Sequence, residues 1–276
     1  MSTTTQQQRY EEFKRLHARP GIFVIPNPWD AGSARILTAL GFEALATTSA
    51  GLAFSLGRKD TGGGVTREHV LENARAIVDA THLPVSADLQ DGFGPAPEQC
   101  ATTIRLAAET GLVGGSIEDS TGDPSTAIYE FEHSVERVRA ASEAAKALPF
   151  VLTARAENFL WARPDLDDTI RRLRAFSEAG ADVVYAPGLP TLDAIRTVCS
   201  AVDKPVNVVM GLSGPRYSVQ QLQEAGVKRI SVGGSFARAA LGALVRAAQE
   251  VKEQGTFEYA VEAISHVEAS AFMREA

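Results

Sequence analysis

Two acids, an arginine and a tyrosine each close a short apolar run, where chemistry is easiest to build. Asp88 follows Pro84–Ala87, Glu118 follows Gly114–Ile117, Arg155 follows Phe150–Ala154, and Tyr185 lies within Val183–Ala186. Two carboxylates from neighbouring elements suit Mg²⁺, which takes one or two carboxylates and fills its octahedron with water. A guanidinium beside them can clamp a substrate carboxylate bidentately or stabilise a developing enolate. The plainer alternatives are that the acids cap the following helices and that Arg155 pairs with Glu157 or Glu118. No histidine ends a run: His17, His69, His82, His133 and His266 all lie elsewhere. Zinc and non-haem iron are therefore disfavoured, and a serine nucleophile lacks its base. No lysine projects from an apolar run either, so imine chemistry is not expected.

These residues need a scaffold that gathers the ends of many strands. Eight runs recur along the chain: Ile22–Pro26, Ala44–Thr48, Pro84–Ala87, Gly114–Ile117, Phe150–Ala154, Val183–Ala186, Val206–Met210 and Arg229–Val232. Most are continuously apolar, the pattern of strands covered on both faces. Stretches of helical periodicity separate them, several stopped by a glycine (Gly41, Gly111, Gly180, Gly226). Strand then helix, eight times over, predicts an α/β fold, the (β/α)8 TIM barrel, whose chemistry sits at the C-terminal ends of its strands. No linker divides the chain, so residues 1–276 are expected to form one domain, with a tail from about Gly255 as an extra helix packed on something such as a neighbouring subunit. On the same rim the strand ends supply Asn27, Trp29, Asp30, Thr48, Ser49 and Asn207, then the Gly233-Gly234-Ser235 turn. Ser49, Ala50 and Gly51 are small enough for their backbone N–H groups to hold a carboxylate or phosphonate, although such residues also make ordinary turns.

Composition narrows the partners. The chain has 276 residues, 45% hydrophobic and 22% charged, with a net charge of −7. That balance argues against nucleic acid or an anionic membrane as the main partner, while leaving small anions open to a pocket with local positive charge. Cys100 and Cys199 form neither a disulfide framework nor a zinc pattern. The polar start, MSTTTQQQRYEEF, does not read as a signal peptide, and no stretch approaches the roughly 20 apolar residues of a membrane span. A cytoplasmic setting is expected.

The ordered segments NPWDAGSARILTALGFEALATTSAG, VSADLQDGFG, GGSIEDS, TARAENF and RISVGG resemble the isocitrate lyase/phosphoenolpyruvate mutase superfamily over nearly the whole chain. The resemblance implies a barrel, bound Mg²⁺ (or Mn²⁺), an eighth helix exchanged between subunits of a homodimer or homotetramer, and chemistry on oxo or enol acids. Carried over by position, Ser49, Ala50 and Gly51 look like the substrate-carboxylate cradle. Asp88 looks like the direct metal ligand, with Glu118 and the loop acid Asp60 in the metal's shell. Arg155 matches the substrate-binding arginine, and Asn207 resembles a polar strand-end residue that contacts substrate. Three departures stand out. The second acid of the family's D-x-D motif is Gln90, with Asp91 next to it; the acid after the sixth strand is absent from Tyr185-Ala186-Pro187-Gly188; and the segment Ser120–Ala127 has neither the Cys nor the His of the lyase lid.

The expectation is a Mg²⁺-dependent enzyme that takes a small anionic oxo or 2-hydroxy acid through an enolate, as a C–C lyase or decarboxylase, with Arg155 and Tyr185 as its catalytic groups. Isocitrate cleavage itself is disfavoured, because the acid that protonates its leaving anion is missing. The alternatives are phosphonopyruvate-type P–C chemistry, as mutase or hydrolase, and a catalytically weak oxo-acid-binding protein.

Overall fold

The structure is a computed structural model describing residues 4–60 and 64–273. Eight parallel strands, β1 (Phe23–Ile25), β2 (Leu45–Ala46), β3 (Val85–Asp88), β4 (Gly114–Glu118), β5 (Val151–Arg155), β6 (Val183–Tyr185), β7 (Val206–Val209) and β8 (Arg229–Ser231), run in the order β1-β8-β7-β6-β5-β4-β3-β2. The β1–β2 seam has no ladder, but Ala46 N–H donates to Pro26 C=O at 3.0 Å. Asn27 ties the same seam: its Nδ2 donates to Thr47 C=O, and its Oδ1 accepts from the Val232 and Gly233 amides at 2.8 and 2.9 Å. All eight expected strands are present, and the fold is the (β/α)8 barrel.

The helices are α1 (Gln6–Ala18), α2 (Ala31–Ala39), α3 (Ser49–Ser55), α4 (Arg67–Asp79), α5 (Pro97–Glu109), α6 (Phe131–Ala145), α7 (Leu166–Glu178), α8 (Leu192–Ala201), α9 (Val219–Glu224), α10 (Ser235–Gln254) and α11 (His266–Phe272). Alternation along the strands builds two cores. Leu45, Val85, Ala87, Leu152, Ala154, Val206 and Val208 face the helices in the larger core. Phe23, Ile25, Ala44, Val151 and Val183 form a smaller one with Phe13 and Leu16 of α1, which closes the N-terminal end of the barrel. Gly114 is what lets Phe13 in, because a Cβ there would lie 2.8 Å from the Phe13 ring.

Helix α10 is unlike the others. Ala237 is its one buried residue, while Leu244 and Val245 are 64% and 53% exposed. The tail departs from the single extra helix expected of it. Gly255 ends α10 in the left-handed conformation (φ 68°), and a 3₁₀ turn (Glu258–Val261) precedes the short α11. The Glu250 carboxylate accepts from the Glu258 and Tyr259 amides at 2.6 and 3.1 Å, turning the chain back, and Ser265 then caps a fresh helix. The last tail residues, 274–276, lie outside the described ones.

His17 joins the α1 plug to the lumen. Its Nδ1–H donates to Phe13 C=O (2.8 Å), leaving Nε2 to accept from Arg229 Nη1 (3.2 Å). Burial, then the nearby Arg229 charge, holds its pKa down at about 3. The folded protein thus keeps His17 neutral where the unfolded chain, titrating near 6.5, takes a proton. Stability should fall as pH drops below about 6.5 and stop falling on this account near 3. Between pH 7 and 5, urea unfolding of wild type should lose about 2 kcal/mol more than that of His17→Gln; equal losses would remove His17 from the acid limb.

Candidate active site

Arg155 occupies the centre of the barrel mouth because β5 places alternate residues inward and Arg155 is the last of them. Its guanidinium meets three carboxylates: Nη1 lies 3.2 Å from Asp88 Oδ1, Nη2 3.1 Å from Glu118 Oε2, and Nε 2.9 Å from Glu157 Oε1. The registers Asp88↔Ser116, Glu118↔Arg155 and Arg155↔Tyr185 bring these strand ends side by side. The Tyr185 ring lies under the guanidinium, 5.1 Å from Cζ to centroid. Burial alone would lower the Arg155 pKa, but Glu118, Glu157 and Asp88 outweigh it and lift it well above the usual range. Burial pushes Glu118 well up, against the pull of Arg155, and pushes the Tyr185 phenol up too, so that the phenol stays protonated.

Behind this cluster lies a second cation. Asp119 accepts from Glu157 N–H at 2.8 Å and pairs with Arg172 at 3.0 Å; Arg172 also pairs with Asp168 at 2.8 Å. Burial raises Asp119 to about 7 in spite of Arg172. The loop after β3 is fixed in a similar way. Gln90 and Phe93 adopt φ of 50° and 62°, conformations that cost non-glycine residues about 1 kcal/mol or more. Arg137, buried against the Tyr129 ring, donates to the carbonyls of Gly94 and Pro95 at 2.6 Å and to that of Asp91. The Asp91 carboxylate accepts from the Phe93 amide at 2.9 Å.

Two spaces open here. An inner cavity of about 70 Å³ is lined by Thr48, Asp88, Arg155, Tyr185, Asn207 and Arg229, among others. An outer groove of about 1000 Å³ is lined by Asp60, Thr66, Arg67, Asp91, Glu118 and Trp161, and by Ser120–Pro124. The segment expected to be a short lid is a closed turn, with Ser120 bridged to Ile128 and Thr121 N–H donating to Ala127 C=O at 2.9 Å.

The expected site residues therefore fall into three places. Asp88, Arg155, Tyr185 and Asn207 share the inner cavity. Glu118 and Asp60 line the groove, Glu118 being joined to the cavity through Arg155. Ser49, Ala50 and Gly51 are the first turn of α3, capped by Thr48; Ser49 N–H points at Asp88 Oδ2 from 3.4 Å. Gly51 has no room for a side chain, since a Cβ would sit 2.7 Å from both Thr48 and Trp29. Asn207 is already engaged: Oδ1 accepts from Arg229 Nε (2.7 Å) and Nδ2 donates to Ser231 Oγ (3.0 Å). Sequence reasoning passed over Arg229 and Ser231, whose signal was a period-two alternation with Ile230.

The donor set fits Mg²⁺ without caging it. Among the described residues, no three His, Cys, Asp or Glu side chains form a cage. Mg²⁺ needs none, because it keeps waters and binds through one or two carboxylates plus substrate oxygens. Desolvation, then the Asp88 charge, raises Asp60 to about 6. Such crowding of acids is what a divalent cation relieves.

A family model described as phosphoenolpyruvate phosphomutase matches residues 13–252. The 2-methylisocitrate lyase of Escherichia coli (strain K12) is 30% identical over 240 residues, 82% of this chain and 79% of that protein. A crystal structure from Burkholderia cenocepacia J2315, provisionally assigned as a lyase or mutase, is 56% identical, covers 97% of this chain and 96% of its own, and superposes with a TM-score of 0.94. The structure of 2,3-dimethylmalate lyase is 26% identical, covers 99% and 95%, and gives 0.84.

Removing the central cation should leave three carboxylates facing one another. Arg155→Met is expected to lose about 3–5 kcal/mol in denaturant unfolding. Adding Glu157→Gln should recover part of that loss; simple additivity of the two changes would mean that the charges are not coupled.

Proposed function

This chain belongs to the phosphoenolpyruvate phosphomutase family, and from that premise we propose that it is a Mg²⁺-dependent enzyme cleaving a C–C bond of an α-oxo or 2-hydroxy acid through an enolate. Its relatives include two C–C lyases, 2-methylisocitrate lyase and 2,3-dimethylmalate lyase, beside the phosphomutase that gives the family model its name. The single observation carrying the reading is the Arg155 guanidinium held between Asp88 and Glu118 at the cavity mouth. Asp88 would hold the cation, with Glu118 and Asp60 reaching it through water. When bound, Mg²⁺ supplies Lewis-acid stabilisation of the enolate.

The chain's own residues do the rest. The first turn of α3 would present a helix N-terminus to the substrate carboxylate, although the Ser49 N–H already faces Asp88 and the Gly51 N–H donates to the Thr48 hydroxyl. Arg155 shares the negative charge that develops as the C–C bond breaks, and its contact with three acids fixes its orientation beforehand. Tyr185 holds its proton at Oη next to the cavity. The turn spanning Ser120–Ala127 offers no Cys or His as an acid to a departing carbanion. Substrates whose second fragment leaves as CO₂, or as a carbanion that needs no dedicated acid, therefore suit this site best.

We further infer that the exposed apolar residues of α10 are covered in a homodimer or homotetramer by a second copy of the chain. Large exposed apolar patches on a helix mark such contacts. Leu244→Glu should shift the sedimentation behaviour toward monomer; an unchanged oligomer would place the contact elsewhere.

A panel of oxaloacetate, 2-methylisocitrate, 2,3-dimethylmalate and phosphonopyruvate, assayed with Mg²⁺ and with EDTA, tests the chemistry. Turnover of an oxo or hydroxy acid that EDTA abolishes is expected, and Asp88→Ala should eliminate it. Full activity in Asp88→Ala would sink the metal assignment. Turnover of phosphonopyruvate alone would move the reaction to P–C chemistry, and binding without turnover of any acid would leave a binding protein.

A further inference from the structure

Arg229 is a cation in the middle of the barrel, only 5% exposed, whose hydrogen bonds all go to neutral groups. Nε donates to Asn207 Oδ1 (2.7 Å), Nη2 to Thr153 Oγ1 (3.0 Å), and Nη1 reaches His17 Nε2 (3.2 Å). Among the described residues no acid pairs with it, whereas the three carboxylates at the barrel mouth are all turned to Arg155. Burial lowers the Arg229 pKa to about 10, so the side chain stays charged at neutral pH. Three neutral acceptors thus meet the shape of the guanidinium without meeting its charge, and a buried charge without a counter-ion is costly.

The fork also has donors to spare. A guanidinium carries five N–H groups and no acceptor, so three bonds leave two N–H groups without a partner among the described residues. Arg229 lines the inner cavity of about 70 Å³, several times the roughly 10–15 Å³ that one water molecule requires. Ser86 and Ser116 line the same space from β3 and β4, and their hydroxyls have no hydrogen-bond partner among the described residues. Asp88 is the one acid among the described lining residues, and it is already engaged by Arg155 at 3.2 Å and by the Gln90 amide at 3.2 Å. Free hydroxyl and N–H donors around an unmatched positive charge suit an anion, which takes short, charge-assisted hydrogen bonds from them. One unmatched positive charge calls for one negative charge, so a halide balances it and a dianion such as sulfate does not.

We propose that the barrel lumen binds a small monovalent anion, of the size and charge of chloride, on the Arg229 guanidinium, with Ser86 and Ser116 as further donors. The site follows from charge and cavity and does not rest on the reaction proposed above. A substrate carboxylate reaching down to Arg229 would carry the same charge, and the experiment separates the two.

Crystals of the full chain grown in sodium bromide without substrate should show an anomalous peak, at the bromine absorption edge, within hydrogen-bond reach of the Arg229 guanidinium. In solution at fixed ionic strength, with gluconate replacing chloride as an anion too large for the cavity, the melting temperature should follow chloride. A rise of about 3 °C is expected for each tenfold increase in chloride above half-saturation. Arg229→Met should lose that dependence. Ser116→Val keeps the cation and fills part of the cavity with a residue suited to a strand; it should raise the half-saturating chloride concentration about tenfold, which tests the site even if Arg229→Met does not fold. No bromide at Arg229, or equal melting temperatures in chloride and gluconate, would overturn the proposal. So would a bromide peak without any chloride dependence, which would be an adventitious ion only. If oxaloacetate soaked in without Mg²⁺ displaces the bromide and sets its carboxylate on Arg229, the residue belongs to substrate binding and the separate anion site is likewise overturned.

Discussion

One guanidinium among three carboxylates organises this molecule. Taking four charges out of water is expensive, and attraction repays that only where geometry is tight and the remaining lone pairs find donors. Asp88 meets that condition through the Gln90 amide at 3.2 Å, and Asp119 receives the Glu157 amide at 2.8 Å. The arrangement depends on strand register, because Asp88, Glu118 and Arg155 end three successive strands. Slipping one strand by a residue would turn its charge into the helix layer. The cluster's three carboxylates outnumber the one guanidinium, and burial raises Glu118 and Glu157 against ionisation. That excess invites a divalent cation, and a bound cation in turn lets an acidic protein accept an anionic substrate.

Polar residues fill much of the lumen above the apolar floor, and the fold compensates in two ways. The floor is sealed by α1, where Phe13 and Leu16 are fully buried. The polar middle is satisfied internally: Thr153, Asn207 and His17 each take one bond from Arg229. Paired buried polar groups of this kind rigidify a site, and a half-satisfied network would destabilise it. The same logic applies outside the lumen, where Arg137 holds the strained loop after β3 by its carbonyls. Three arginines thus shape one face of the candidate site: Arg155 by charge, Arg137 by backbone, Arg229 by holding three neutral side chains.

Much of this was legible in the sequence. Mostly apolar runs and glycine stops located all eight strands, because strands covered on both faces are apolar at most positions, their inward polar residues being few enough to leave each run recognisable. Asp88, Glu118 and Arg155 could be placed on one rim because a barrel gathers its strand ends. Other features required coordinates. Arg229 begins its run and reads like a flanking charge, and only the pairing Asn207↔Arg229 shows it to be inside. The tail reads as one helix because Glu250 acts on residues eight and nine positions away, a contact no local pattern encodes. Asn207 was read as a substrate contact from its strand-end position, whereas its amide is occupied from below, by Arg229.

The absence of Cys and His from the Ser120–Ala127 turn bears on how the proposed reaction could finish. Enolate chemistry produces negative charge on two fragments at different times, and each requires its own means of neutralisation. In the proposed reaction Arg155 would face the oxo-acid half, while the groove side carries Asp60, Asp91, Asp123 and Glu118, which disfavour a second anion. A departing neutral fragment escapes that repulsion; a departing carbanion must be protonated before it meets those acids. The one protonated phenol at the inner cavity is Tyr185, which burial keeps un-ionised and Arg155 polarises from 5.1 Å. In the proposed reaction, a fragment that needs a proton would draw it from within the barrel rather than from the turn, because Tyr185 is the inner-cavity group that burial keeps protonated.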